Sequence, residues 1–227
     1  MSATFAVLRK ELLEILGNRD SLRGPLVQGG IVFLLAGVIV PRSASMWSDP
    51  VAPILLFQLF PAAIASMIAA DAFAGERERR TLETVLATPV TEMAIFMGKT
   101  LCAVSLGLFV SMVTLTSALI VASLHLGQTP LSAARVASVI VGSFSASLLT
   151  SSVAVAISSR VDVARSAQQI ASMAALTIIF GGDALLRQVE VLTAQRLLGI
   201  DATAIALALV ILAISARTFR RSRRFEN

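Results

Sequence analysis

Apolar and polar positions alternate on a long scale in this chain. Six apolar stretches run roughly from Pro25 to Val40, Val51 to Ala70, Leu101 to Leu124, Val136 to Ser159, Ala164 to Gly182 and Ala202 to Ala216. Crossing a hydrocarbon core about 30 Å thick takes about 20 apolar residues in a helix. Four of the stretches meet that length or come close to it. The first and last are short and would draw on flanking residues or a thinned bilayer. Ionisable residues fall at or beyond the ends of the stretches. The pattern predicts an all-α membrane protein with six transmembrane helices, organised as a single membrane domain over residues 1–227.

Three segments outside the spans carry helical periodicity of their own. In residues 4–16, Phe5, Leu8, Leu12, Ile15 and Leu16 recur at spacings of three and four, while Arg9, Lys10, Glu11 and Glu14 are charged. This predicts an amphipathic helix lying in the membrane interface before a turn at Gly24-Pro25. Residues 71–99, between the second and third spans, contain the mixed-sign run Glu76, Arg77, Glu78, Arg79, Arg80. Beyond that run, Leu82, Val85 and Leu86 share one helical face with Glu83 and Thr84 turned away. Pro89 ends that helix, and Thr91-Glu92 can start another. In residues 182–201, Leu185, Leu186, Val189, Val191 and Leu192 suggest helical structure packed at the membrane surface.

Composition agrees with lipid as the main solvent: 56% of the residues are hydrophobic and 15% charged, with a mean hydropathy of +0.83. A soluble domain carries about 25% charged residues. The net charge of +5 does not indicate nucleic acid, because the basic residues sit in short clusters between apolar runs. Their distribution reports orientation instead. With both termini in the cytoplasm, 15 of the 19 Lys and Arg residues lie inside, and only Arg42, Arg135, Arg187 and Arg196 lie outside. The basic tail from Arg217 to Arg224 then anchors the last span and can meet anionic lipid head groups. This reading places the chain in the inner membrane as a multi-pass protein.

Catalytic chemistry is poorly provided for. No GxxxxGK[ST] phosphate loop occurs. A single cysteine, Cys102, and a single histidine, His125, leave no basis for a metal site or a disulfide. The Gly142-Ser143-Phe144-Ser145 segment resembles a serine nucleophile motif, but His125 lies in a predicted outer loop and supplies no base. No cofactor is expected on this chain. In the fourth span Ser138, Gly142, Ala146, Thr150, Ala154 and Ser158 recur every four residues, a small-residue stripe suited to close helix packing. The alternative is that this face, with Ser143, Ser147 and Ser151 beside it, lines a transport path. Gln168 and Gln169 in the fifth span serve either as interhelical hydrogen-bonding groups or as pathway groups.

Taken alone, the 71–99 segment reads either as a solvated loop or as a helix that inserts into a groove on a soluble partner. Phe73, Glu76, Arg77, Thr81, Leu82, Glu83, Leu86, Thr88, Pro89, Val90, Gly98 and Lys99 resemble the signature of type-2 ABC transporter permeases, the transmembrane subunits of ABC exporters. A departure is Arg80, where that family often has glycine. The resemblance implies a cytoplasmic coupling helix between spans 2 and 3, with contacts to a separate ATPase subunit at Glu76, Arg77, Arg79, Arg80, Thr81, Leu82, Glu83, Val85, Leu86 and Pro89. It further implies two ATPase copies that bind ATP and Mg, and a second permease copy in a homodimer or a related heterodimer. Two other readings are an ion-coupled secondary transporter or channel, disfavoured by the lack of ionisable residues inside the spans, and, within the same class, a haem-exporter-type permease.

Overall fold

A computed structural model describes residues 3–17, 27, 29–49, 51–83, 90–127, 131–188 and 194–223. Among them all regular structure is helical. In chain order the elements are α1 (Ala3–Gly17), α2 (Gly29–Arg42), α3 (Ala44–Ser48), α4 (Ala52–Glu78), α5 (Glu92–Leu126), α6 (Ala133–Ser158), α7 (Ala164–Arg187) and α8 (Ala194–Arg223). Five of these, α4 to α8, hold stretches long and apolar enough to cross a membrane.

The first predicted span differs. Its described part, α2, is short, passing through a π-helical segment at Phe33–Ile39 into a 3₁₀ turn at Val40–Arg42. Fourteen residues at helical rise reach about 21 Å, less than a hydrocarbon core. Pro41 and the extended backbone of Ser43 stop it there. Ser117 on α5 donates to the Gly37 carbonyl at 3.1 Å, a partner for backbone exposed by the widened turn. The predicted Gly24-Pro25 turn lies outside the described residues.

The long helices begin and end where their capping residues direct. Thr91 caps α5, its hydroxyl accepting from the Ala94 N–H, and Glu92 occupies the first turn. Gly127, at φ 71°, closes the other end of α5 in the left-handed conformation that glycine adopts without strain. Ser132 caps α6. At the start of α4, Asp49 accepts the Val51 and Ala52 N–H groups at 2.7 and 3.1 Å. Those two bonds hold its carboxyl below the usual carboxylate range.

Helix α6 is the central element, packed against α4, α5, α7 and α8. Its contact with α4 is made through small residues. The Ser158 hydroxyl accepts the Phe73 and Ala74 N–H groups of α4 at 3.0 and 2.9 Å. Gly142 leaves space for the Gln58 amide, which a Cβ there would strike. Gly107 lets α5 approach the backbone of α4, where a Cβ would stand 2.9 Å from the Pro61 carbonyl. Pro61 stands inside α4 and cannot donate to the Phe57 carbonyl one turn back. The Ser143 hydroxyl on α6 lies 2.7 Å from that carbonyl and 2.7 Å from the Val139 carbonyl of its own helix, and shares its one proton between them.

Two apolar clusters mark the ends of the bundle. Phe73, Ile95, Phe96, Val155 and several alanines fill the end near α1. Met46, Trp47, Phe57, Leu115 and Val139 fill the opposite end, where the Trp47 indole donates to the Pro41 carbonyl at 2.9 Å.

The helices outrun the apolar stretches that predicted them. Helix α4 continues through the charged run to Glu78, and α5 starts at Glu92 and so includes Lys99. Segment 182–201 is not a separate helical unit in its described parts: residues 182–187 end α7 and 194–201 begin α8. The candidate span in α8, Arg196–Thr218, therefore contains Asp201. This corrects the expectation that ionisable residues stay out of the spans. Leu197, Leu198 and Ile200 extend the apolar helix N-terminally around Asp201.

Candidate functional site: a charged junction at one end of the bundle

The residues of the 71–99 segment converge with α1 on one end of the molecule. Lys99, in the second turn of α5, is the centre. Its side chain is 1% exposed, and its ammonium donates to Glu76 Oε1 at 2.8 Å and Glu11 Oε1 at 2.9 Å. Lys10 approaches the same Glu76 oxygen at 3.5 Å and Glu11 at 3.3 Å. Lys10, half exposed, also pairs with Glu14 at 3.1 Å, while the buried Lys99 ammonium offsets the carboxylates that enter the interior with it. Aromatic packing encloses them: the Phe73 and Phe96 ring centroids are 4.6 Å apart, and the Lys99 ammonium lies 5.4 Å from the Phe73 centroid. Partial burial works against the charge on Lys10, but the surrounding Glu11, Glu14 and Glu76 carboxylates outweigh it and push its pKa up to about 12.

Gly98 explains how α1 comes close enough to contribute. A Cβ at this position would stand 2.6 Å from Val7 Cγ1, 2.7 Å from Val7 Cβ and 3.2 Å from the Thr4 carbonyl. The packed face of α1 accordingly includes Thr4, Val7, Leu8, Glu11, Leu12 and Ile15, all at least partly covered. Phe5, assigned to the apolar face from sequence, is 51% exposed instead, and Leu13 is 60% exposed. The helix carries its buried carboxylate inward and keeps a second apolar surface outward.

The rest of the charged run ties neighbouring helix ends together. Arg77 donates to the Val161 carbonyl at 2.9 Å, to Asp162 Oδ1 at 2.9 Å and to the Ser159 carbonyl at 3.1 Å. It thereby binds the segment leaving α6, where the last carbonyls lack helical partners. Glu78 accepts the Ala164 N–H at the start of α7, at 3.3 Å. Arg79 pairs with Asp71 at 3.0 Å.

Chain direction changes at Arg80, which has φ 58°, in the left-handed region that favours glycine. The Thr81 N–H bonds the Glu76 carbonyl at 2.9 Å and the Arg80 N–H bonds the Arg77 carbonyl at 3.0 Å. Those two bonds form a Schellman motif, the helix ending that glycine usually closes. The departure noted at Arg80 thus falls on the one non-glycine residue among the described residues with a positive φ.

Of the residues assigned from sequence to a partner contact, Arg79, Arg80, Thr81 and Glu83 are exposed, and Leu82 packs partly against the core. Glu76 is 4% exposed and Arg77 is engaged with residues 159–162, so both face the molecule itself. Val85, Leu86 and Pro89 lie outside the described residues. Ser143, Ser147 and Ser151 have no exposed surface. Gln168 is half-buried, while Gln169 is exposed on α7 beside Met173 and Phe180.

Sequence reasoning missed that Glu11, Phe73, Glu76, Gly98 and Lys99 form one unit. Two signals were present: a lysine at the start of an apolar stretch, which needs a counter-charge, and a glutamate four residues after Val7 on the same helical face. A family model described as ABC-2 type transporter matches residues 2–186, a range that includes every member of the junction. No curated protein matches the sequence.

Proposed function

Because the chain belongs to the ABC-2 type transporter family, we propose that it is the permease subunit of an ATP-driven exporter, worked by a separate ATPase. The observation that carries this reading is the junction. The segment from Arg79 to Glu83 leaves the bundle directly from a point where the ends of α1, α4, α5, α6 and α7 are bound together. A force applied to that segment reaches five helices at once. The exposed Arg79, Arg80, Thr81 and Glu83 form the near edge of the partner surface.

In this arrangement ATP and Mg are held by the partner, and the chain itself performs no catalysis. The junction faces the cytoplasm together with both termini, following the basic-residue asymmetry. Helix α2 belongs to the first of six spans. Helix α1 lies in the interface, its exposed Phe5 and Leu13 directed to lipid. A second permease copy covers the free face of α7, where Gln169 stands among Met173, Leu176 and Phe180. An amide left in hydrocarbon without a partner is costly, which favours protein over lipid on that face.

Charge reversal tests the reading. The double variant Arg80→Glu/Glu83→Arg should leave the melting temperature of the purified permease unchanged and abolish co-purification of ATPase activity from native membranes. Full retention of co-purifying, vanadate-sensitive activity overturns the coupling assignment.

A further inference from the structure

At the end of the bundle remote from the junction, α4, α6, α7 and α8 line a partly open cavity of about 270 Å³. Most of its wall is aliphatic, including Leu149, Ile179 and Leu207. The polar exceptions are Gln58 from α4, Ser138 and Ser145 from α6, and Asp201 and Thr203 from α8. Asp201 is 8% exposed and lies within the candidate span of α8. Its Oδ1 accepts the Ser145 hydroxyl at 2.6 Å, and among the described residues no Lys, Arg or His forms an ion pair with it. The contrast with the junction is direct, since there the buried carboxylates meet two ammonium groups.

A carboxylate removed from water needs a cationic partner or a full set of donors, and one hydroxyl is not a full set. An ionisable group inside a membrane span that also lines a cavity marks a binding or transport site. The cavity sets the class of ligand. An inorganic cation would require a shell of oxygen ligands around it, whereas aliphatic side chains dominate this wall. An apolar body with a single positive charge satisfies both parts.

We propose that this cavity binds a small hydrophobic amine, its ammonium paired with Asp201 and its hydrocarbon body held by the aliphatic wall. Ser145 orients the carboxylate, and the Gln58 amide, which lies over Gly142, offers its carbonyl as a second acceptor. The site is built within one copy of the chain and does not depend on the coupling reading. It can therefore stand if the ATPase assignment fails, and fail if that assignment stands.

The test uses the purified full-length chain in detergent and three probes with one hydrocarbon body: 1-aminoadamantane, 1-adamantanol and 1-adamantanecarboxylate. Equilibrium binding should show the amine bound, the alcohol weaker and the carboxylate unbound. Asp201→Asn keeps the size of the side chain and its bond from Ser145. It should weaken the amine by about 30-fold or more, the order expected when one partner of a desolvated charge pair is neutralised, and leave the alcohol unchanged. Gly182→Phe serves as a second variant, because Gly182 lines the cavity and a Cβ there meets nothing within 4 Å. It should remove binding of amine and alcohol together while the melting curve is preserved. Equal binding of all three probes, or unchanged amine affinity in a folded Asp201→Asn or Gly182→Phe protein, overturns the proposal.

Discussion

Lys99 and Lys10 share the same two carboxylates and differ in burial, which separates their contributions. Lys99 is 1% exposed in its side chain and Lys10 is 49% exposed. Removing the ammonium in Lys99→Met leaves two carboxylates in the interior and should cost about 3–5 kcal/mol. Adding Glu11→Gln and Glu76→Gln should recover part of that loss in thermal unfolding of the detergent-solubilised protein. Lys10→Gln removes a solvent-screened charge and should cost less than about 1 kcal/mol. The sign with pH follows from its raised pKa: the Lys10 contribution is complete below the ordinary value of 10.5 and is lost as pH rises towards 12. Arg80 carries a prediction of opposite sign. At φ 58° its Cβ crowds the following carbonyl, so Arg80→Gly should stabilise the fold by about 1 kcal/mol, read as a raised unfolding midpoint.

At the scale of elements, α4 and α6 behave as a matched pair around Pro61. The Ser143 hydroxyl occupies the carbonyl that proline leaves without a helical donor. Ser143→Ala should cost about 1 kcal/mol, the lower end of the penalty for an unsatisfied buried carbonyl, because the hydroxyl also serves Val139. In a Pro61→Ala background the restored N–H takes over, so the same serine replacement should cost close to nothing. An additive double-mutant cycle would refute the pairing. The sequence made most of this scale legible. Long apolar stretches placed α4 to α8, and Thr91-Glu92 located the start of α5. What it did not reveal was helix length, because Glu76, Lys99 and Asp201 stand in helical continuations where a count of apolar residues stops. The packed face of α1 was hidden for a related reason. Periodicity assigns glutamate to water, and Glu11 is held inward only because Lys99, 88 positions away, comes to meet it.

For the molecule as a whole, the two ends treat charge in opposite ways. One end pairs its buried carboxylates with ammonium groups among α1, α4 and α5, and the other keeps Asp201 beside a cavity. The proposed orientation is open to direct measurement. A cysteine at Glu83 should react with an impermeant maleimide only from the cytoplasmic side, and one at Arg135 only from the outside, in a Cys102→Ala background. The reverse pattern would invert the map and remove the ATPase from reach of the junction. The junction was visible in the sequence as separate signature residues, but its closure depends on α1 folding back over Gly98, a long-range contact that no local pattern carries.

That closure has a consequence for how the protein is made. Residues 10 and 11 leave the ribosome almost ninety residues before Lys99. During that interval the newly made α1 has no docking surface and its Glu11 has no interior partner. Once α5 is in place, Lys99 and Glu76 remain an incomplete set until the waiting helix returns. The junction is thus closed by a segment synthesised well before its docking surface exists. Without α1, Lys99 keeps Glu76 as its partner but loses Glu11, and the close-packed face at Gly98 is left uncovered.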